Sequence, residues 1–205
     1  MLEEICRSRL GSASRALADY ASLPPLGGPW KRAVDLVMAA VALVVLMPLM
    51  LATAALVRLL TQDSIIVSER LIGRGGRTFV GYRFRVPAAY AQGTSQYVQC
   101  VAAALSRSSL DKLPQFINVM RGDMSLIGPR LRAAAEFGTY LAQAPECQLA
   151  RPGLISIAET YGAALREQRT EIALERYYVS HWSMGLDLAL LSKAIFCNHR
   201  RDWAA

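Results

Sequence analysis

The residues best suited to chemistry lie between Ser108 and Arg130, in the run SSLDKLPQFINVMRGDMSLIGPR. Ser109 precedes Leu110-Asp111-Lys112, and Pro114 stands where the first turn of a helix tolerates a residue without an N–H. Asp111 is therefore expected near a helix N-terminus, where the helix dipole favours its charged form. Such an Asp serves as a plain cap, a nucleophile or a metal ligand, and residue type alone leaves all three open. Phe116, Ile117, Val119 and Met120 supply an apolar helix face, Gly122 ends the helix, and Asp123 and Arg130 bracket the following turn. A second group is basic: Arg70, Arg74, Arg77, Arg83 and Arg85 crowd a turn containing Gly73, Gly75 and Gly76. Glycine lets backbone N–H groups approach an anion and Arg offers a bidentate fork, so this group suits a phosphate or an anionic membrane face. Cys6, Cys100, Cys147 and Cys197 are widely spaced, with no C-x-x-C pair and only His181 and His199 beside them. They read as reduced cysteines of a cytosolic compartment, and His181 as a structural histidine.

These residues need elements to hold them. SIIVS (64–68) and TFVGYRF (78–84) flank the glycines as β-branched and aromatic runs, which predicts a hairpin. Upstream, Leu36 to Val57 runs for 22 residues without a charge, with Thr53 its one polar side chain. That is long enough for a membrane helix; it starts too late for a secretory signal and is expected to stay in the mature chain. Pro48, near its centre, removes a backbone hydrogen bond and predicts a kink or break. Lys31 and Arg32 precede the segment and Arg58 follows it, so the flanks fit a span or a hairpin with both ends cytoplasmic. The expected organisation is a tail over 1–30 with the breaker run PPLGGP, a membrane helix over 31–60, and a soluble domain over 61–205. Towards the C-terminus, Leu165 to Val179 and Leu186 to Phe196 show helical spacing, suited to core packing or a membrane surface. With 205 residues, 53% hydrophobic and 19% charged, the chain is neither disordered nor collagen-like. The fold class expected is an α-rich α/β body anchored by a Pro-broken membrane helix. The net charge of +7 admits nucleic acid as a partner, but no recognition motif accompanies it, and the membrane segment argues against that partner.

The order of these features resembles the bacterial sugar transferase family, the monotopic phosphoglycosyl transferases that start exopolysaccharide and related glycoconjugate assembly. The resemblance rests on KRAVDLV leading into an apolar segment broken by Pro48, on Gly73 with Gly76-Arg77-x-Phe79, and on Tyr82-Arg83-Phe84-Arg85. It continues through Ser109-Leu110-Asp111-x-Leu113-Pro114-Gln115, Asn118-Val119-x-x-Gly122-Asp123-Met124-Ser125-Leu126-Ile127-Gly128-Pro129-Arg130 and Arg151-Pro152-Gly153. It ends with Tyr177-Tyr178, Trp182-Ser183 and Leu186-Asp187-Leu188.

The resemblance implies a re-entrant helix hairpin in the cytoplasmic leaflet of a bacterial inner membrane, with the globular part in the cytosol. The implied reaction moves a sugar 1-phosphate from a UDP-sugar to undecaprenyl phosphate with Mg²⁺, through a phosphosugar on an Asp. Carried onto this chain, Asp111 is the nucleophile and metal ligand, and Arg85, Arg130 and Arg151 hold phosphates of donor or acceptor. A homodimer or other polysaccharide assembly proteins are further partners of this picture. The chain departs from the family at Lys112, where a Glu completes an acidic dyad with the Asp. Smaller departures are Met47, Val86-Pro87, Leu131 and Ile155-Ser156. Two readings follow. In one, Lys112 neutralises a diphosphate oxygen beside an ionised Asp111. In the other, the chain is a weak or inactive paralogue that binds donor or lipid phosphate and assists an active transferase.

Overall fold

A computed structural model describes residues 22–61, 63–86, 96–133, 140, 143–161 and 168–197. Most of the expected 1–30 tail lies outside the described residues, as do Pro87, His199 and Cys6. Helix α1, Gly28–Leu60, is 33 residues long, about 50 Å at 1.5 Å per residue. It begins three residues before the expected boundary, because Gly27 with φ 73° turns the chain and Pro29 sits in the first turn, where its missing N–H costs nothing. Pro48 does not end the helix: the helical assignment is continuous through it. Its outer surface is apolar, with Val37, Val41, Val44, Val45, Met47 and Leu51 all more than half exposed. The helix is long and apolar enough to cross a membrane.

The hairpin forms from β1 (Ile66–Ile72) and β2 (Thr78–Phe84), antiparallel from Ile66↔Phe84 to Ile72↔Thr78. The first strand lies later than SIIVS because Ser68, Glu69 and Arg70 alternate across the sheet and extend the pairing to the Gly73–Arg77 turn. Helix α2 spans Gln96–Arg107, and a 3-10 turn, Leu110–Gln115, leads into the short helix α3, Phe116–Arg121. Strand β3 (Ser125–Ile127) pairs in parallel with β5 (Gly153–Ile155), while β4 (Arg132–Ala133) adds to the other edge of β1. Helices α4 (Ile157–Tyr161), α5 (Gln168–Ser180) and α6 (Met184–Cys197) complete the body. The architecture is the helix-rich α/β body expected.

Two apolar clusters hold the fold. Ala39, Val119, Met124, Leu126, Ile157, Tyr178 and Leu190 form one, and Val57, Phe84, Leu105 and Leu113 the other. Helix α1 contributes to both, Ala39 near its start and Val57 near its end, so its inner stripe packs along the domain. The start of α1 is further fixed by a buried polar network. Lys31 and Asp187, 5% and 6% exposed, form an ion pair; Lys31 also donates to Tyr178 Oη at 3.2 Å, and Tyr178 and Trp182 donate to Asp187 at 2.7 and 3.0 Å. One turn on, Asp35 accepts hydrogen bonds from Ser125 Oγ at 2.6 Å and from Leu126 N at 3.3 Å. Burial of a charge is tolerated only with such partners. The motif residues near both ends of the described chain therefore lock α1 to the domain. Ile117 and Met120, expected on an apolar inner face, are 38% and 39% exposed: α3 is too short to bury both sides, and Val119 takes the core position.

Candidate active site

Asp111 lies in the first turn of the 3-10 segment that joins α2 to α3. Ser109 adopts the left-handed region at φ 55°, which turns the chain sharply, and Leu113, Pro114 and Gln115 bury beneath Asp111. The expected regular helix start is thus a tighter turn, with Pro114 inside it and α3 beginning only at Phe116. Asn118, fully buried, pins this segment to the hairpin: its Nδ2 donates to Val80 O at 2.7 Å and its Oδ1 accepts from Tyr82 N at 3.3 Å.

Asp111 opens into a cleft of about 570 Å³ lined by interleaved bases and acids: Lys112 pairs with Glu159, Arg83 stands near Glu69, and Arg130 and Arg132 meet Glu171. Burial pushes the Asp111 carboxyl above its ordinary value, against the pull of Lys112, of its own backbone N–H and of Arg83; Glu159 adds to the rise. Lys112 is turned to Glu159, Nζ to Oε1 at 3.0 Å. Arg130 reaches Glu171 at 3.0 Å, and its backbone N–H donates to the buried Glu175 at 2.9 Å. Burial alone would lower the Arg130 guanidinium, but Glu171, Glu159 and Glu175 together raise it. Arg132 shares Glu171 at 2.7 Å, and Arg83 lies 3.7 Å from Glu69.

The structure thus brings Asp111, Lys112 and Arg130 together, while the other two candidate arginines lie elsewhere. Arg85 closes the loop before β1, donating to Ser64 O and Oγ, both at 2.9 Å, with Asp63 at 3.8 Å. Arg151 lines a different hollow, with Arg74 and Arg77. Arg130 and Arg151 follow and precede strands whose backbones touch. Gly153 N donates to Pro129 O at 2.9 Å, Gly128 N donates to Ile155 O at 3.1 Å, and a Cβ on either glycine would strike the other's backbone. Glycine is required at both positions by this approach.

Sequence reasoning missed Glu159, Glu171, Glu69 and Arg132. Lys112 and Glu159 are 47 residues apart, with no local pattern to join them. Magnesium fits poorly in what is present. Among the described residues no group of three metal-ligating side chains stands together, and of the four carboxylates in the cleft only Asp111 has no cation within ion-pair distance. Mg²⁺ is ordinarily held by one or two free carboxylates with substrate phosphates, and here Lys112 occupies the second.

The family model for bacterial sugar transferases matches residues 27–201. An exopolysaccharide production protein, ExoY, of Sinorhizobium fredii is 33% identical over 197 residues, covering 85% of this chain and 87% of that one. A UDP-glucose:undecaprenyl-phosphate glucose-1-phosphate transferase of Caulobacter vibrioides is 33% identical over 181 residues, 80% of this chain and 68% of that one. A UDP-N-acetylgalactosamine-undecaprenyl-phosphate N-acetylgalactosaminephosphotransferase of Aeromonas hydrophila is 32% identical over 179 residues, 80% of this chain and 42% of that one. With a match running from the Gly27 turn through the cleft to the last helix, the chain belongs to the bacterial sugar transferase family of enzymes.

Proposed function

We propose that the chain transfers a sugar 1-phosphate from a UDP-sugar to undecaprenyl phosphate, with Asp111 as the nucleophile. The observation that carries this is the position of Asp111 in a cleft that Lys112, Arg83, Arg130 and Arg132 also line. An Asp111 carboxylate oxygen attacks the phosphorus that bears the sugar. The phosphoanhydride bond breaks, UMP leaves with the bridging oxygen and the electron pair, and an acyl phosphate joins the sugar phosphate to Asp111. A phosphate oxygen of the lipid acceptor then attacks the same phosphorus, the acyl–phosphate bond breaks, and the carboxylate is regenerated. Arginines facing the diphosphate spread its charge through both steps, and Lys112 supplies a compact cation at the point nearest the nucleophile. Lys112 is the cation beside the nucleophile, and it holds Glu159, the carboxylate that a metal ion shared with Asp111 would need.

The same reading puts α1 in the cytoplasmic leaflet of a bacterial inner membrane, both ends on the cytosolic side. A helix that crossed the bilayer would carry its far end away from the domain. Val57 instead packs with Phe84, Leu105 and Leu113, while the opposite face of α1 is exposed and apolar. The competing reading, a weak or silent paralogue that binds donor or lipid phosphate, draws on one observation: Lys112 is held by Glu159 rather than free.

Release of UMP from a panel of UDP-sugars by the detergent-purified chain with undecaprenyl phosphate, with and without EDTA, separates the two. Turnover that Asp111→Asn abolishes and EDTA leaves intact supports the metal-free transferase. Absence of turnover across the panel in the native chain, with or without added Mg²⁺, favours the paralogue.

A further inference from the structure

At the turn end of the hairpin lies a second hollow, about 290 Å³, lined by Gly73, Arg74, Arg77, Thr78, Phe79, Gly122, Asp123 and Arg151. It shares no lining residue with the Asp111 cleft. Three guanidiniums against one carboxylate leave it with a net charge of +2. Asp123 is within reach of Asn118 Nδ2 at 3.4 Å, and neither Arg77 nor Arg151 has an ion-pair or side-chain hydrogen-bond partner among the described residues. Arg74 donates to Leu23 O through Nη2, yet its Nε is buried with no acceptor. A buried N–H donor without an acceptor costs stability, and three arginines gathered around a single carboxylate repel one another. Burial presses the Arg74 guanidinium below its ordinary value, and Arg151 and Arg77 add to that push.

We propose that this hollow is an anion site that takes a phosphate group, separate from the Asp111 cleft, with Arg74, Arg77 and Arg151 as its donors. A phosphate offers several acceptor oxygens, enough for the unpaired forks of Arg77 and Arg151 and for Arg74 beside them. The neighbourhood admits two sources of that group. Arg32, on the first turns of α1, caps the carbonyls of Val119 and Met120 at 2.8 and 3.2 Å beside Gly122, so the hollow adjoins the root of the membrane helix, where phospholipid headgroups lie. Its opening also leaves it accessible to a soluble phosphate compound. The site is independent of whether Asp111 turns over.

The test uses the full chain, Arg77→Gln, Arg74→Gln/Arg77→Gln, and a charge-matched control, Arg107→Gln/Arg169→Gln, whose arginines are exposed. Arg77 is itself exposed, so its single replacement leaves the packing of the fold intact. One arm measures retention of phosphatidylglycerol by native mass spectrometry after transfer from mixed micelles; the other measures thermal stabilisation by inorganic phosphate. Loss of one guanidinium from a charged hydrogen-bonded site corresponds to roughly tenfold weaker binding. Expected is that weakening in Arg77→Gln, a larger one in the double variant, and none in the control. A variant-sensitive effect in the lipid arm alone identifies a headgroup, and in the phosphate arm a soluble ligand. Equal binding by native chain and double variant, equal loss in the control, or binding in neither arm overturns the proposal.

Discussion

Exchanging Lys112 for Glu tests the electrostatic account of the cleft. In the native chain Lys112 and Glu159 are 3.0 Å apart with side chains 34% and 27% exposed. An ion pair so open to solvent contributes about 0–1 kcal/mol. Lys112→Glu removes that and sets two carboxylates face to face beside a third, Asp111. At about 4 Å and an effective dielectric of about 20 the repulsion of one pair is about 4 kcal/mol; rotation of the new side chain into water and ordinary salt reduce it to about 1–2 kcal/mol. A total loss of about 2 kcal/mol lowers Tm by about 4–8 °C in a chain of this size. The same change frees Glu159, so a divalent cation gains two carboxylates beside Asp111. Saturation at about 100 times Kd returns about 2.7 kcal/mol. Thermal unfolding in detergent with EDTA or Mg²⁺ should show a lower, magnesium-sensitive Tm for Lys112→Glu, a magnesium-insensitive Tm for the native chain, and recovery in EDTA by Lys112→Glu/Glu159→Gln. A Lys112→Glu protein as stable as the native chain in EDTA and indifferent to Mg²⁺ would refute the idea that Lys112 stands in a cation's place.

Lys31→Met strands the buried Asp187 and should cost about 3–5 kcal/mol by chemical denaturation, much of it recovered by adding Asp187→Asn, whereas no recovery would mean the network is not electrostatic. Gly153→Ala forces a Cβ into the backbone of Gly128 and should abolish the accumulation of folded protein; a normally folded variant would contradict the tight β3–β5 approach. Because burial raises the folded Asp111 carboxyl, its stabilising contribution is fullest below the ordinary carboxylate value and is lost as pH rises through its raised folded value. Asp111→Asn should therefore be at least as stable as the native chain at neutral pH by thermal unfolding, and the acid limb of the native UMP-release profile should lie above the usual carboxylate range.

Much of this arrangement was legible locally. The apolar run between Lys31 and Arg58, the hairpin around Gly73–Gly76 and the short helix before Gly122 each carry their own periodicity or turn residues, and each is present. Asp111 was legible as a residue at a helix start, which the structure tightens to a 3-10 turn, and its company with Arg130 came only from the family resemblance. What escaped were partnerships across long separations. Lys31 with Asp187, and Lys112 with Glu159, unite charges 156 and 47 positions apart, and only packing decides them. Arg85 and Arg151 show the converse. The resemblance assigned both to the phosphates around Asp111, yet the end of β2 delivers Arg85 to the Ser64 loop, and the close β3–β5 approach leaves Arg151 in the other hollow. The continuity of α1 through Pro48 was also invisible, since proline's missing N–H removes one hydrogen bond, while side-chain packing on both sides of it sustains the helix.

In the proposed reaction Asp111 itself takes the sugar phosphate. Incubation of the purified chain with a UDP-sugar that it turns over, without lipid acceptor, followed by acid quench and peptide mass analysis, tests this directly. Expected is a mass increase of one sugar phosphate on the peptide carrying Asp111, lost on adding undecaprenyl phosphate and absent from Asp111→Asn. UMP release with no modified Asp111 peptide, or a modification that persists in Asp111→Asn, would contradict it.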